Sequence, residues 1–332
     1  MTPRPKDADQ LAAWAAERAP RLVVQAEAEA VAVLRDAMVN AAVTARIQPP
    51  QVAPSEPVET EAAPAGDLLW TYCVLRVEDP YPQDLSGVHE SGSVERVQAG
   101  SLAALVSRVP KAVFAEEPLR RHLNDLPWLE RTARAHEAVL EQTLSSSTIV
   151  PLRMCTLFET GDSVRAMLEG QRDTFEAALE ALTGRQEWGV KVLIDTSRLL
   201  EQARARSDQV PALEEELRDR GAGGAYMVRR RLERHVRDLA DTLASEIAEQ
   251  AHARLQDWAI DAVTRPAQNR DLSGHEGEML LNAAYLVQAD RIAELRQLVS
   301  ELETHYGDLG ARIELTGPWP PYNFLPDGAA LP

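Results

Sequence analysis

Met279-Leu-Leu-Asn282-Ala-Ala-Tyr285-Leu-Val287 sets the architecture of the second half of this chain. Laid out with period two, Leu280, Ala284 and Leu286 fall on one face and Leu281, Ala283, Tyr285 and Val287 on the other. A strand that is apolar on both faces is buried on both, and so belongs in the middle of a sheet. Working outward, Val190, Val192 and Ile194 alternate with Lys191, Leu193 and Asp195, which predicts a second strand upstream. Between the two, Leu232, Val236, Leu239, Leu243 and Ile247 recur every three or four residues, predicting a helix over about 226–255. Trp258 to Arg265 alternates again, and 266–277 is a polar loop. Downstream, Asp290 reads as the N-cap of a helix carrying Ile292, Leu295, Val299 and Leu302, with Gly307 stopping it. Ala311, Ile313 and Leu315 then alternate with Arg312, Glu314 and Thr316. The order is β-α-β-β-α-β, the ferredoxin-like arrangement, with its first and third strands central. Helices cover one face of such a sheet, so the first domain, the C-terminal tail or a partner must cover the other.

The stretch before it reads as a separate α+β domain. Leu69, Thr71, Cys73, Leu75 and Val77 alternate with Trp70, Tyr72, Val74 and Arg76 in a strand partly buried on both faces. Val94–Gln98 and Leu102–Val109 read as a hairpin around Ala99-Gly100. A helix over about 118–144, a strand-like run 149–158 and a helix over 162–182 complete it. The first 48 residues, rich in Ala, Glu and Arg, read as helix, and the prolines from Pro49 to Pro64 make an extended linker. The expected organisation is a helical extension and linker (1–66), an α+β domain (67–186), a ferredoxin-like domain (187–317) and a Pro/aromatic tail (318–332).

Charge and composition narrow the function. The formal net charge is −17, which argues against nucleic acid and anionic membranes as partners. No apolar run approaches the roughly 20 residues of a membrane helix, and the N-terminus has no signal-peptide core, so the expected location is the cytoplasm. The two cysteines, Cys73 and Cys155, fall in strand-like segments and read as buried, inert thiols. His89, His136 and His275 each precede a glutamate, and no HExxH or HxxxH spacing occurs, so no metal site is expected. No cofactor is implied.

Two segments stand apart. Gly221-Ala-Gly223-Gly224-Ala-Tyr226 lacks both the last glycine of GxGxxG and a following GK[ST], and reads as a hinge or helix start. Arg229, Arg230, Arg231, Arg234 and Arg237 follow it, with Arg230, Arg234 and Arg237 on one helical face. They either pair with Glu214, Glu215, Glu216 or Asp219, or form a stripe that docks an acidic partner surface. Cations in the first turns of a helix oppose its dipole, so local helix stability does not account for them. The tail Thr316-Gly-Pro318-Trp319-Pro-Pro-Tyr322-Asn-Phe324 combines a stiff backbone with large rings. It either packs over the open sheet face or contacts another protein, through Trp319, Tyr322 and Phe324.

Five of these pieces occur together in one known family. Ile149-Val-Pro151-Leu-Arg153-Met-Cys155-Thr-Leu-Phe158, Trp188-Gly-Val-Lys191-Val, Gly223-Gly-Ala-Tyr226-Met-Val-Arg229-Arg230, Leu281-Asn-Ala-Ala-Tyr285-Leu-Val287 and the tail motif resemble the GvpL/GvpF gas vesicle family, in the family's order. Met154-Cys155 stand where the family pattern has Phe-Gly. The resemblance implies an α+β domain, a ferredoxin-like domain and a tail that packs back. It also implies a non-enzymatic role in gas vesicle formation, as a minor vesicle component or a factor that binds the hydrophobic shell protein and limits its aggregation. Other vesicle accessory proteins are the further implied partners, and self-association is left open. The competing reading is a ferredoxin-like small-anion sensor or enzyme using the glycine stretch and the arginines.

Overall fold

Strand β1 (Asp67–Arg76) is buried from Leu68 to Leu75, because helices cover both faces of the sheet it centres. In the computed structural model the described residues are 66–325 except 91, 221 and 267–276, and they fall in one compact unit. Apart from Gly66, the expected extension and linker over 1–66 lie outside them, as does nearly all of the expected polar loop over 266–277.

The first sheet runs β2 (Val94–Ala99), β3 (Leu102–Pro110), β1 and β4 (Val150–Pro151), with β5 (Leu157–Phe158) also pairing β1, and every pairing is antiparallel. β2 (Val94–Ala99) and β3 (Leu102–Pro110) form the expected hairpin, turning at Gly100, whose φ of +61° suits glycine. A register shift between Thr71 and Cys73 overturns the simple alternation expected of β1. The bulge turns Cys73 and Leu75 onto the face of Trp70 and Tyr72, and leaves Val74 with Leu69 on the other.

The helix expected over 118–144 is two, α2 (Glu116–His122) and α3 (Leu126–Leu144), preceded by a short unexpected α1 (Lys111–Phe114). The break follows from Asp125, whose side chain accepts from Trp128 N as an N-cap, and from Pro127 in the first turn. Residues 149–158 are not a continuous strand. They make two bridges, β4 (Val150–Pro151) and β5 (Leu157–Phe158), around a turn closed by Thr156 N donating to Arg153 O at 3.2 Å. Cys155 sits in that turn at φ +67°, half-buried and not in a strand. The helix expected over 162–182 is likewise split, into α4 (Gly161–Gly170) and α5 (Arg172–Leu182).

The second sheet is β7-β8-β6-β9, also antiparallel throughout. β6 (Arg185–Ile194) and β8 (Glu278–Gln288) are central, and β7 (Asp261–Thr264) and β9 (Ala311–Trp319) are at the edges. Two helices absent from the expectation follow β6: α6 (Thr196–Arg206), capped by Asp195, and α7 (Val210–Asp219). α8 (Ala222–Trp258) and α9 (Ile292–Tyr306) complete the layer. Val190, Val192, Leu281, Ala283, Tyr285 and Ile313 meet Leu232, Val236, Ile247, Leu295, Val299 and Leu302 in one buried cluster.

Both ends of α9 differ from expectation. Asp290 makes no side-chain cap; it lies in a 3-10 turn over 289–291, and α9 starts after Arg291. Gly307 stays right-handed and a 3-10 turn continues to Leu309, so the left-handed stop is Gly310, at φ +91°.

The other face of the second sheet is covered from within the chain. Leu286 joins Leu69, Val97, Val164, Phe175 and Leu179 of the first sheet's cluster, with Phe324 and Leu325 packed against the same group.

Candidate functional site

The segment after β9 is a strap across both sheets. β9 continues past the expected end of its domain, through Gly317-Pro318 to Trp319, whose Cα partner is Glu187. Two glycines permit the close approach: a Cβ on Gly317, at φ +136°, would lie 3.0 Å from Glu187 O and 3.1 Å from the Trp188 ring. A Cβ on Gly189 would lie 2.9 Å from Thr316 Oγ1. Trp319 Nε1 donates to Thr316 Oγ1 at 3.2 Å, which fixes the ring at the sheet edge.

Beyond it, Asn323 N donates to Glu187 Oε2 at 3.2 Å, and the Asn323 amide donates to Glu187 Oε1. Glu187 is 1% exposed. A buried carboxylate needs donors, and the strap supplies two, with Arg265 Nη2 3.9 Å from Oε1. Tyr322 reaches the first sheet, where its hydroxyl donates to Glu137 Oε1 at 3.2 Å and lies 3.3 Å from His136 Nε2.

His136 is buried against Trp70 and stacked on Tyr72. Trp70 Nε1 donates to its Nδ1 at 3.0 Å, so Nε2 carries the proton and donates to Leu152 O at 3.2 Å. Burial holds the pKa of His136 down to about 4, against a smaller upward pull from the Leu152 carbonyl. The ring is therefore a neutral structural link. Trp319, Tyr322 and Phe324 are each half-buried, so the rings expected to contact partners all rest on the chain itself.

The arginines lie elsewhere, on the N-terminal half of α8. The glycine stretch is a helix start, as expected: α8 begins at Ala222, and Gly224 in its first turn has Arg220 Cδ 3.2 Å from where a Cβ would stand. Because the helix starts there, Arg229 to Arg237 sit two turns or more inside it, beyond the reach of the dipole's end effect. The helix dipole therefore neither favours nor opposes them, contrary to expectation.

Of the expected carboxylate partners, Glu216 takes Arg231 and Arg220, and Glu214 takes Arg204 at 2.6 Å. Arg230, Arg234 and Arg237 are exposed and make no ion pair among the described residues. Arg230 lies over the ring of Tyr226 at 6.0 Å, and Tyr226 and Met227 are 57% and 68% exposed. The sequence carried a sign of this. Tyr226 and Met227 fall outside the spacing of the buried Val228, Leu232 and Val236.

Other polar groups have structural settings. His235 Nε2 meets Ser207 Oγ at 2.8 Å, and His252 Nδ1 meets the Tyr285 hydroxyl at 2.8 Å. Burial pushes the Cys73 thiol far up and the Cys155 thiol to about 12. Lys191 is buried, with Asn282 and Glu314 as its cross-strand neighbours. Among the described residues, no cluster of His, Cys, Asp and Glu could hold a metal ion, and no helix is long and apolar enough to cross a membrane. A cleft of about 430 Å³ on the first sheet contains Arg108 and Arg165, but Glu95 and Asp162 pair with them at 3.4 and 2.5 Å.

Comparison with known proteins gives a consistent result. The family described as "Gas vesicle synthesis protein GvpL/GvpF" matches residues 68–326. Gas vesicle protein L of Streptomyces sp. (strain CB03234) is 36% identical over 260 residues, covering 77% of this chain and 92% of that protein. Gas vesicle protein L1 of Halobacterium salinarum is 26% identical over 266 residues, covering 78% and 90%. Among solved structures, gas vesicle protein GvpF from Anabaena sp. PCC7120 superposes with a TM-score of 0.56 at 21% identity, covering 79% of this chain and 97% of that one. GvpF from Microcystis aeruginosa gives 0.53 at 19%, covering 78% and 99%. At those identities the structural likeness speaks for the fold.

Proposed function

The chain belongs to the gas vesicle synthesis protein GvpL/GvpF family, which ties it to gas vesicles, and from that premise we propose that it is a non-catalytic assembly factor. It binds the hydrophobic shell protein and other accessory proteins, as a minor vesicle component or as a factor that limits shell-protein aggregation. Its place of work is the gas vesicle and the cytoplasm around it. The partner contacts fall to Arg230, Arg234 and Arg237, and to the half of each tail ring, Trp319, Tyr322 and Phe324, that packing on the chain leaves exposed. The observation that carries this reading is an exposed arginine face whose cations have no carboxylate within the described chain, on a molecule of net charge −17.

The rest of the molecule is read as the frame for those contacts. We take 67–186 and 187–317 as two domains, each sheet having its own helices and core, with 318–332 as the tail. The second domain is read as ferredoxin-like. Its strand order and the β-α-β-β-α-β run support that, with α6 and α7 inserted after the first strand.

The test is co-purification of the full-length tagged chain with the shell protein from vesicle-forming cells. The expected result is recovery of the shell protein with the wild-type chain and its reduction by Arg234→Glu, with the fold intact. Shell protein absent from the wild-type eluate would end the reading.

A further inference from the structure

We infer that the Tyr226–Arg237 face of α8 is the docking surface for an acidic α-helix of a partner protein. Tyr226 and Met227 serve as its apolar anchor, and Arg230, Arg234 and Arg237 as its charge register. The inference rests on the partner-binding reading above and names the chemistry of the partner.

The helix wheel separates the two faces. Leu232, Val236 and Ala240 point into the core shared with α6 and α7 through Leu199, Ala203, Val210 and Leu213, and Val228, one turn earlier, is buried as well. Tyr226, Arg230, Arg234 and Arg237 recur at i, i+4, i+8 and i+11, which puts them on the opposite face, along about 16 Å of axis. One turn apart, they match carboxylates one turn apart on another helix.

The local charge selects an acidic partner. Tyr226 to Arg237 holds five arginines against the single carboxylate of Glu233, on a chain whose total is −17. The chain has spent its neighbouring carboxylates on other arginines: Glu216 on Arg220 and Arg231, Glu214 on Arg204. Asp238 and Asp241 follow on the same helix and bound the cationic stretch at its far end. A partner lying along the face therefore needs acidic residues beside the arginines and none beside the aspartates, which fixes its direction.

The apolar end supplies what charge alone does not. Exposed arginine–carboxylate pairs contribute little individually, whereas Tyr, Met and Arg clustered at one spot resemble the anchors that carry binding energy. Tyr226 and Met227, among the most exposed large apolar side chains described, adjoin the first arginine, and Arg230 already stacks over the Tyr226 ring. Nucleic acid is disfavoured as the occupant by the overall negative charge.

The experiment titrates the full chain with a fluorescent helical peptide bearing glutamates one turn apart and two leucines at one end. A counterpart carries lysine for glutamate. Saturable binding of the acidic peptide, weakened at least about tenfold by Arg230→Glu/Arg234→Glu/Arg237→Glu, several-fold by Tyr226→Ala and strongly by salt, supports the inference. Equal binding of both peptides, or equal affinity of the triple variant, overturns it. If the triple charge reversal does not fold, the Arg→Gln triple variant is read in the same way. Shell-protein co-purification, measured in parallel, separates the two claims. Wild-type co-purification retained by the triple variant removes this surface and leaves the function standing. Peptide binding without wild-type co-purification leaves the surface and removes the function.

Discussion

The hydroxyl of Tyr322 lies 3.3 Å from Nε2 of His136, joining two residues 186 positions apart. One belongs to the strap that leaves the second sheet, the other to α3 on the first. Between them the strap also satisfies buried Glu187, so the same short segment holds the sheets together and compensates a buried charge.

Removing the Tyr322 hydroxyl takes away its part-buried bond to Glu137 and its contact with His136, which stays bonded to Leu152 O. Tyr322→Phe is expected to cost about 1 kcal/mol in chemical denaturation. Asn323→Ala, which removes the side-chain donor from buried Glu187 and leaves the backbone one, is expected to cost more, about 2–3 kcal/mol. The reverse order would remove Glu187 from this account.

His136 makes stability depend on pH with a definite sign. Its folded pKa, about 4, lies below the ordinary value of 6.5, so between those values the unfolded chain binds more protons. Its contribution is present above pH 6.5 and is lost as pH falls toward 4, by about 3 kcal/mol. Carboxylates titrate in part of that window too, so the measurement is the difference in slope between wild type and His136→Gln. Parallel slopes would contradict the assignment.

Cys155 occupies a left-handed turn position, φ +67°, where the family pattern has glycine. Cys155→Gly is expected to be tolerated, within about 1 kcal/mol of wild type, because glycine adopts that conformation without penalty. Cys155→Val should lose about 1–2 kcal/mol, since a Cβ branch is strained there. Equal melting temperatures for the two variants would place the turn elsewhere.

Leu295 is buried in the α9 cluster beside Val299 and Leu302. Leu295→Asp puts a carboxylate into a buried apolar cluster, at a cost on the order of 4 kcal/mol or more, enough to unfold the second sheet and its helices. An unchanged thermal transition would refute the register of α9.

What the sequence made legible follows from how far each signal is local. Two-faced apolarity placed β8 centrally, and 3.6-residue spacing found α8 and α9. The helix break at Leu123–Asp125 was readable in principle from Asp125 and Pro127, but a periodic pattern on both sides masked it. α6 and α7 carry few apolar residues, chiefly Leu199, Ala203, Val210 and Leu213, too sparse to stand out before the packing is known. The β1 bulge has no sequence signature, because every residue around it is buried and alternation gives no contrast. Glu187 could not be recognised: nothing in Gln186-Glu187-Trp188 announces an amide 136 residues away. The arginine face was legible as a pattern, whereas its apolar neighbours Tyr226 and Met227 gained meaning only when the buried side of α8 was fixed.

A chain that works in building gas vesicles is required for flotation, which deletion of its gene in a vesicle-forming host puts to the test. Cells lacking the chain are expected to sink, and to float again when the wild-type chain is restored. Undiminished flotation of the deletion strain would contradict the account.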